Sequence, residues 1–116
     1  MASHPFNFGS GKVTWCSWDI DESLAFPQQM WPHERDLIQV NYPRSDTTLD
    51  ISWMQKGERS RGAFLVMLFK GDSCDKPLVK RRPRSLKGLR AVVSQTAGKA
   101  NAMEQRARTI SNRERP

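Results

Sequence analysis

Two groups of residues in this chain have the types and spacing to do chemistry. Asp19 and Asp21 stand one residue apart at the end of a strand-like segment, where two carboxylates can share a divalent cation or divide the roles of nucleophile and acid. Lys76, Lys80, Arg81, Arg82, Arg84, Lys87 and Arg90 fall within fifteen residues that hold no carboxylate. A run of that density makes a positive patch, which neutralises phosphates without reading sequence and loosens as salt rises. The candidate anion or nucleic-acid contacts are therefore Lys80, Arg81, Arg82, Arg84, Lys87 and Arg90, continued by Lys99, Arg106, Arg108, Arg113 and Arg115.

The strand followed by Asp19-Ile20-Asp21 resembles the opening motif of the haloacid-dehalogenase-like phosphotransferases over about ten residues. That resemblance would imply Mg-dependent phosphoryl transfer through Asp19 and Asp21. It departs at Glu22-Ser23, where the motif continues into a Gly-Thr-type turn, and the parallel α/β scaffold of that family is missing from the pattern of elements. Gly57 and Gly62 have the spacing of a phosphate-binding loop. Ala63-Phe64 replaces the Lys-Ser/Thr pair and a strand follows instead of a helix, so nothing remains to hold phosphate.

Metal and nucleophile chemistry fare no better. His4, Cys16, His33 and Cys74 have no ligand spacing that would make a zinc site, and nothing ties His33 to a thiol or a serine. Cys16 and Cys74 read as buried, unreactive thiols of a reduced, cytoplasmic protein. No cofactor and no metal is expected, and no enzyme. Lys80-Arg81-Arg82-Pro83-Arg84 would resemble a nuclear import signal if the protein were eukaryotic or viral.

A long connection offers a different kind of site. Residues 19–35 lack a regular pattern, contain Pro27 and Pro32, and carry Leu24, Phe26, Met30 and Trp31. Connections of that length are usually functional or partly disordered. Trp18, Phe26 and Trp31 are the candidate protein-interface residues, since tryptophan is often an energetic centre of such contacts. Trp15 and Trp53 lie on faces with Val13, Leu49 and Ile51, which points to core packing. The leading expectation is a non-enzymatic module that binds a protein through residues 19–35 and the adjacent sheet surface. The alternative is nucleic-acid binding through residues 76–90 and the tail.

The elements that must position these residues follow from periodicity. Residues 12–18 are β-branched and aromatic. Residues 36–42 alternate Ile38, Val40 and Tyr42 with Leu37, Gln39 and Asn41, and residues 47–54 alternate Leu49, Ile51 and Trp53 with polar partners. Pro43-Arg44-Ser45-Asp46 between them is turn chemistry, which makes the pair a hairpin. Residues 62–70 are apolar almost throughout, the mark of a strand covered on both sides, and residues 78–82 form a short fifth strand. Ser85 is an N-cap candidate for an amphipathic helix over 85–97, with Leu86, Leu89, Val92 and Val93 at helical spacing and Gly98 as a stop.

Hairpin-length connectors favour antiparallel pairing, because parallel crossovers need a dozen or more residues. The expected fold is α+β: an antiparallel sheet of about five strands, mainly a meander, with a C-terminal helix on one face. Residues 1–10 form a flexible lead-in, 11–98 one domain, and 99–116 a basic, weakly helical or disordered tail. With 116 residues, 37% of them hydrophobic, no room exists for a large enzyme architecture, and no apolar run is long enough to cross a bilayer. The net charge of +7 divides into −3 over residues 1–60 and +10 over 61–116.

Overall fold

The structure is a computed structural model that describes residues 4–18, 34–54 and 62–114, with side chains described as far as residue 107. Its elements are β1 (Lys12–Cys16), β2 (Arg35–Tyr42), β3 (Thr47–Met54), β4 (Ala63–Lys70), β5 (Val79–Arg81) and α1 (Leu86–Glu114). The strands pair in chain order, each antiparallel to the next, and α1 packs on one face. This is the α+β meander that short connectors dictate.

Alternation sorts the strands into two faces. Ile38, Val40, Tyr42, Leu49, Ile51, Trp53, Phe64, Val66 and Leu68 are completely buried, and Leu89, Val93, Ala97 and Ala100 of α1 are buried with them in one core. The spacing of those four helical residues, four, four and three, is the stripe that a helix turns toward a sheet. Trp53 meets Phe64 edge to face at 5.2 Å. A Cβ on Gly62 would collide with the Trp53 indole, so that glycine is fixed by the close approach of the ring.

Two bulges modify the alternation. The register shifts between Asp36 and Ile38, which leaves Leu37 as an extra residue and buries it together with Ile38. The register also shifts between Val13 and Trp15, and Trp15 pairs with Gln39 on the face away from α1. Trp15 is 55% exposed in consequence, not part of the core that its strand pattern suggests. Edge position explains this, since β1 has only β2 beside it and α1 makes its contacts with β2, β3 and β4.

The helix starts where expected: the Gly88 N–H donates to the Ser85 hydroxyl at 3.0 Å and the Leu89 N–H to the Ser85 carbonyl at 2.9 Å. It does not stop at Gly98. Gly98 is exposed in mid-helix, and the buried Ala97 and Ala100 on either side bind the chain to the sheet, so packing overrides the local stop signal. Residues 4–10, set apart by the sequence as a lead-in, lie against the same core: Phe8 is buried, and its carbonyl accepts hydrogen bonds from the Tyr42 hydroxyl at 2.8 Å and the Asn101 side chain at 3.1 Å. Ser10 donates to Asn101 from both its backbone N–H and its hydroxyl, each at 3.0 Å.

Candidate functional site

The cations of residues 76–90 lie on the surface. Lys80 and Arg81 are exposed on β5, Arg82 and Arg84 are exposed in the connector to α1, and Lys87 and Arg90 are exposed in the first turns of the helix. The short edge strand and the Pro83-containing connector keep these side chains off the core, which the apolar residues of α1 and the inner strands fill.

Two recesses follow one flank of α1. The first, about 280 Å³, is lined by Leu78, Val79, Lys80, Arg81, Gln95, Thr96 and Lys99. The second, about 490 Å³, is lined by Arg44, Ser45, Asp46, Lys70, Met103, Arg106 and Ala107. Thr96, Lys99, Met103 and Arg106 are three, four and three residues apart and so share one face of the helix, over a rise of about 15 Å. The two recesses share no lining residue, but on the sheet side the Leu78 N–H bonds to the Leu68 carbonyl, two residues from Lys70, which brings their linings near one another. The result is a groove with Lys80, Arg81 and Lys99 toward one end and Arg44, Lys70 and Arg106 toward the other.

The carboxylates near this groove are few. Between Lys76 and Arg113 the sequence holds one, Glu104, and it is buried at 7% exposure. Its two oxygens accept the backbone N–H of Arg44 at 3.0 Å and of Ser45 at 2.7 Å. Burial alone would push the Glu104 carboxyl up, but these hydrogen bonds and the Arg44 charge outweigh it and hold the group below the ordinary glutamate range. Glu104 thereby fixes the turn at residues 43–46 against the helix and presents Arg44 to the groove. Asp46, in a left-handed conformation at φ 52°, is the one carboxylate among the described residues that lines either recess.

Sequence reasoning missed Arg44 and Lys70, which are isolated in the chain and join the groove only through the hairpin ends. It placed Lys99 and Arg106 in a tail; the continuous helix instead brings Lys99 to β5 and Arg106 to the β2–β3 turn. Arg82, Arg84, Lys87 and Arg90 line neither recess and extend the positive surface around the helix N-terminus.

The other candidates are distributed differently. Trp18, a candidate interface residue, is buried at 6% exposure and meets Phe6 edge to face at 5.0 Å. Phe26, Trp31, Asp19 and Asp21 lie outside the described residues, as do His33 and Gly57. Cys16 is half-buried, and Cys74 is exposed on the β4–β5 loop, so Cys74 is not the buried thiol that its residue type suggests. Among the described residues no three His, Cys, Asp or Glu side chains come together as a metal site. No helix of the described residues is long and apolar enough to cross a membrane.

The face of the sheet away from α1 carries one further recess, about 330 Å³, lined by Thr14, Trp15, Asp36, Gln39 and Asp50. Burial and the neighbouring Asp36 charge push the Asp50 carboxyl up to about 6. The register sets Lys80, opposite Met67, and Lys12, opposite Asn41, on this same face, so it carries both signs and its two carboxylates have cations near them. No family model, no curated protein and no solved structure matches the chain.

Proposed function

We propose that this protein is a non-enzymatic binding module whose ligand is nucleic acid, held along the α1 flank by Lys80, Arg81 and Lys99 and by Arg44, Lys70 and Arg106. One observation carries the reading: six cations line two neighbouring recesses in which Asp46 is the only carboxylate among the described residues. Cations concentrated in this way are drawn to a polyanion, and their succession along about 15 Å of helix suits a chain of phosphates better than one small anion. The positive surface continues through Arg82, Arg84, Lys87 and Arg90, giving an incoming polyanion an approach to the groove.

A protein-binding reading through residues 19–35 has less support, because Trp18 is committed to packing with Phe6 and the remaining candidates lie outside the described residues. The phosphotransferase reading rests on Asp19 and Asp21, which also lie outside them.

Fluorescence anisotropy with a mixed-sequence oligonucleotide tests the proposal. Binding is expected at low salt, falling steeply at moderate salt, and lost in a variant with Lys80, Arg81 and Lys99 replaced by alanine. Absence of binding at low salt would remove it.

A further inference from the structure

We propose that the groove takes single-stranded nucleic acid in preference to duplex, an inference that rests on the nucleic-acid reading and specifies its ligand. Three features of the helix flank carry it. The first is where the charge lies on α1. A protein that reads duplex pushes a helix into the major groove, so its contacts project from the outermost face of that helix. On α1 the exposed Lys87 and Arg90 stand at the start, and beyond them the exposed Ala91, Ser94, Gln95, Gly98, Ala102 and Gln105 are uncharged. Lys99 and Arg106 sit to one side, turned toward β5 and the β2–β3 turn. Past the first turns the outward ridge is neutral, and Lys99 and Arg106 are exposed to one side of it, along the recesses.

The second feature is the apolar surface between the cations. Leu78 is 44% exposed, the largest exposure of any leucine in the described chain, and with Val79 it lines the first recess among Lys80, Arg81 and Lys99. Met103 and Ala107 play the same part in the second recess, among Arg44, Lys70 and Arg106. A duplex stacks its base faces inside and offers phosphate and sugar outside, whereas a single strand offers phosphates and apolar base faces together. Alternating cationic and apolar linings match the second ligand. Among the described residues no aromatic ring lines either recess, so the contact would favour no particular base, since strong stacking platforms are aromatic.

The third feature is size. Recesses of about 280 and 490 Å³ are open and shallow, each with room for about one small organic unit against its floor. A flexible strand can place successive nucleotides in them. A rigid duplex would lie across their mouths and reach fewer of the cations.

The test compares a mixed-sequence single strand with the same sequence annealed to its complement, at one salt concentration, by competition against a labelled single strand. The single strand is expected to bind at least tenfold more tightly. Leu78→Ser, at a site exposed enough to leave the fold intact, is expected to weaken single-strand binding about threefold while leaving duplex binding unchanged. Equal or tighter duplex binding overturns the inference and leaves the nucleic-acid reading standing. Loss of neither by Leu78→Ser overturns the role given to the apolar lining. Binding of neither nucleic acid, or tighter binding to vesicles rich in anionic lipid, overturns both readings.

Discussion

The two faces of one sheet treat their charges in opposite ways. On the open face Asp36 and Asp50 share a recess with Trp15, and burial together with the neighbouring Asp36 charge drives the Asp50 carboxyl up to about 6. On the helix side Glu104 is more deeply buried, yet its carboxyl is held low because two backbone N–H groups and Arg44 face it. Burial alone does not decide whether a carboxylate is comfortable; the dipoles and charges that replace water decide it. Glu104, the one acid between Lys76 and Arg113, is occupied by the backbone N–H groups of Arg44 and Ser45 and by the Arg44 charge.

That contrast can be broken most forcefully by removing groove cations. A Lys80, Arg81 and Lys99 to alanine variant is expected to lose about 100-fold in oligonucleotide affinity at low salt, with its thermal stability unchanged, by anisotropy and thermal melts. Glu104→Ala should come next, leaving the Ser45 N–H buried without its acceptor and costing about 2 kcal/mol in urea unfolding at neutral pH. Because the folded Glu104 pKa is depressed, its stabilisation is present above the ordinary glutamate value and fades as pH falls through the folded value.

Asp50 behaves oppositely. Its raised pKa means that its contribution to stability is full below the ordinary aspartate value and is lost as pH rises through about 6. Asp50→Asn is therefore expected to stabilise the fold by about 1 kcal/mol at pH 8, once solvent screening of this partly exposed group is allowed for, and by nothing at pH 4. Urea midpoints at the two pH values check this. The smallest effect expected is that of Gly98→Ala, where an added Cβ meets nothing within 4 Å. It should raise stability by a little under about 1 kcal/mol through helix propensity and leave oligonucleotide affinity unchanged, as a neutral outward face requires.

Much of this architecture was legible from period and punctuation. The alternation of β2 and β3, the apolar run of β4 and the Ser85 cap each state a local preference that the tertiary structure keeps. What was not legible depends on partners distant in the chain. Trp15 is exposed because a bulge and an edge position turn it away from the helix, and neither leaves a mark in a five-residue strand. Phe8 is buried because Tyr42 and Asn101 reach its carbonyl from 34 and 93 residues away. The helix passes Gly98 because burial on both sides outweighs one glycine. Of the candidate site, the cations of residues 80–90 were visible as a run, but the groove also needs Arg44 and Lys70, which no local pattern connects to Lys99 and Arg106.

The central claim is that binding energy comes from the cations of the helix flank and not from the opposite face. The dependence of oligonucleotide affinity on salt measures it most directly, compared among the unaltered protein, the Lys80, Arg81 and Lys99 to alanine variant, and a variant with Asp36 and Asp50 changed to asparagine. The slope of log affinity against log salt should shrink by about 2 in the groove variant, as three lost contacts to a single strand require, and stay unchanged in the aspartate variant. Equal slopes in the groove variant and the unaltered protein would contradict the account.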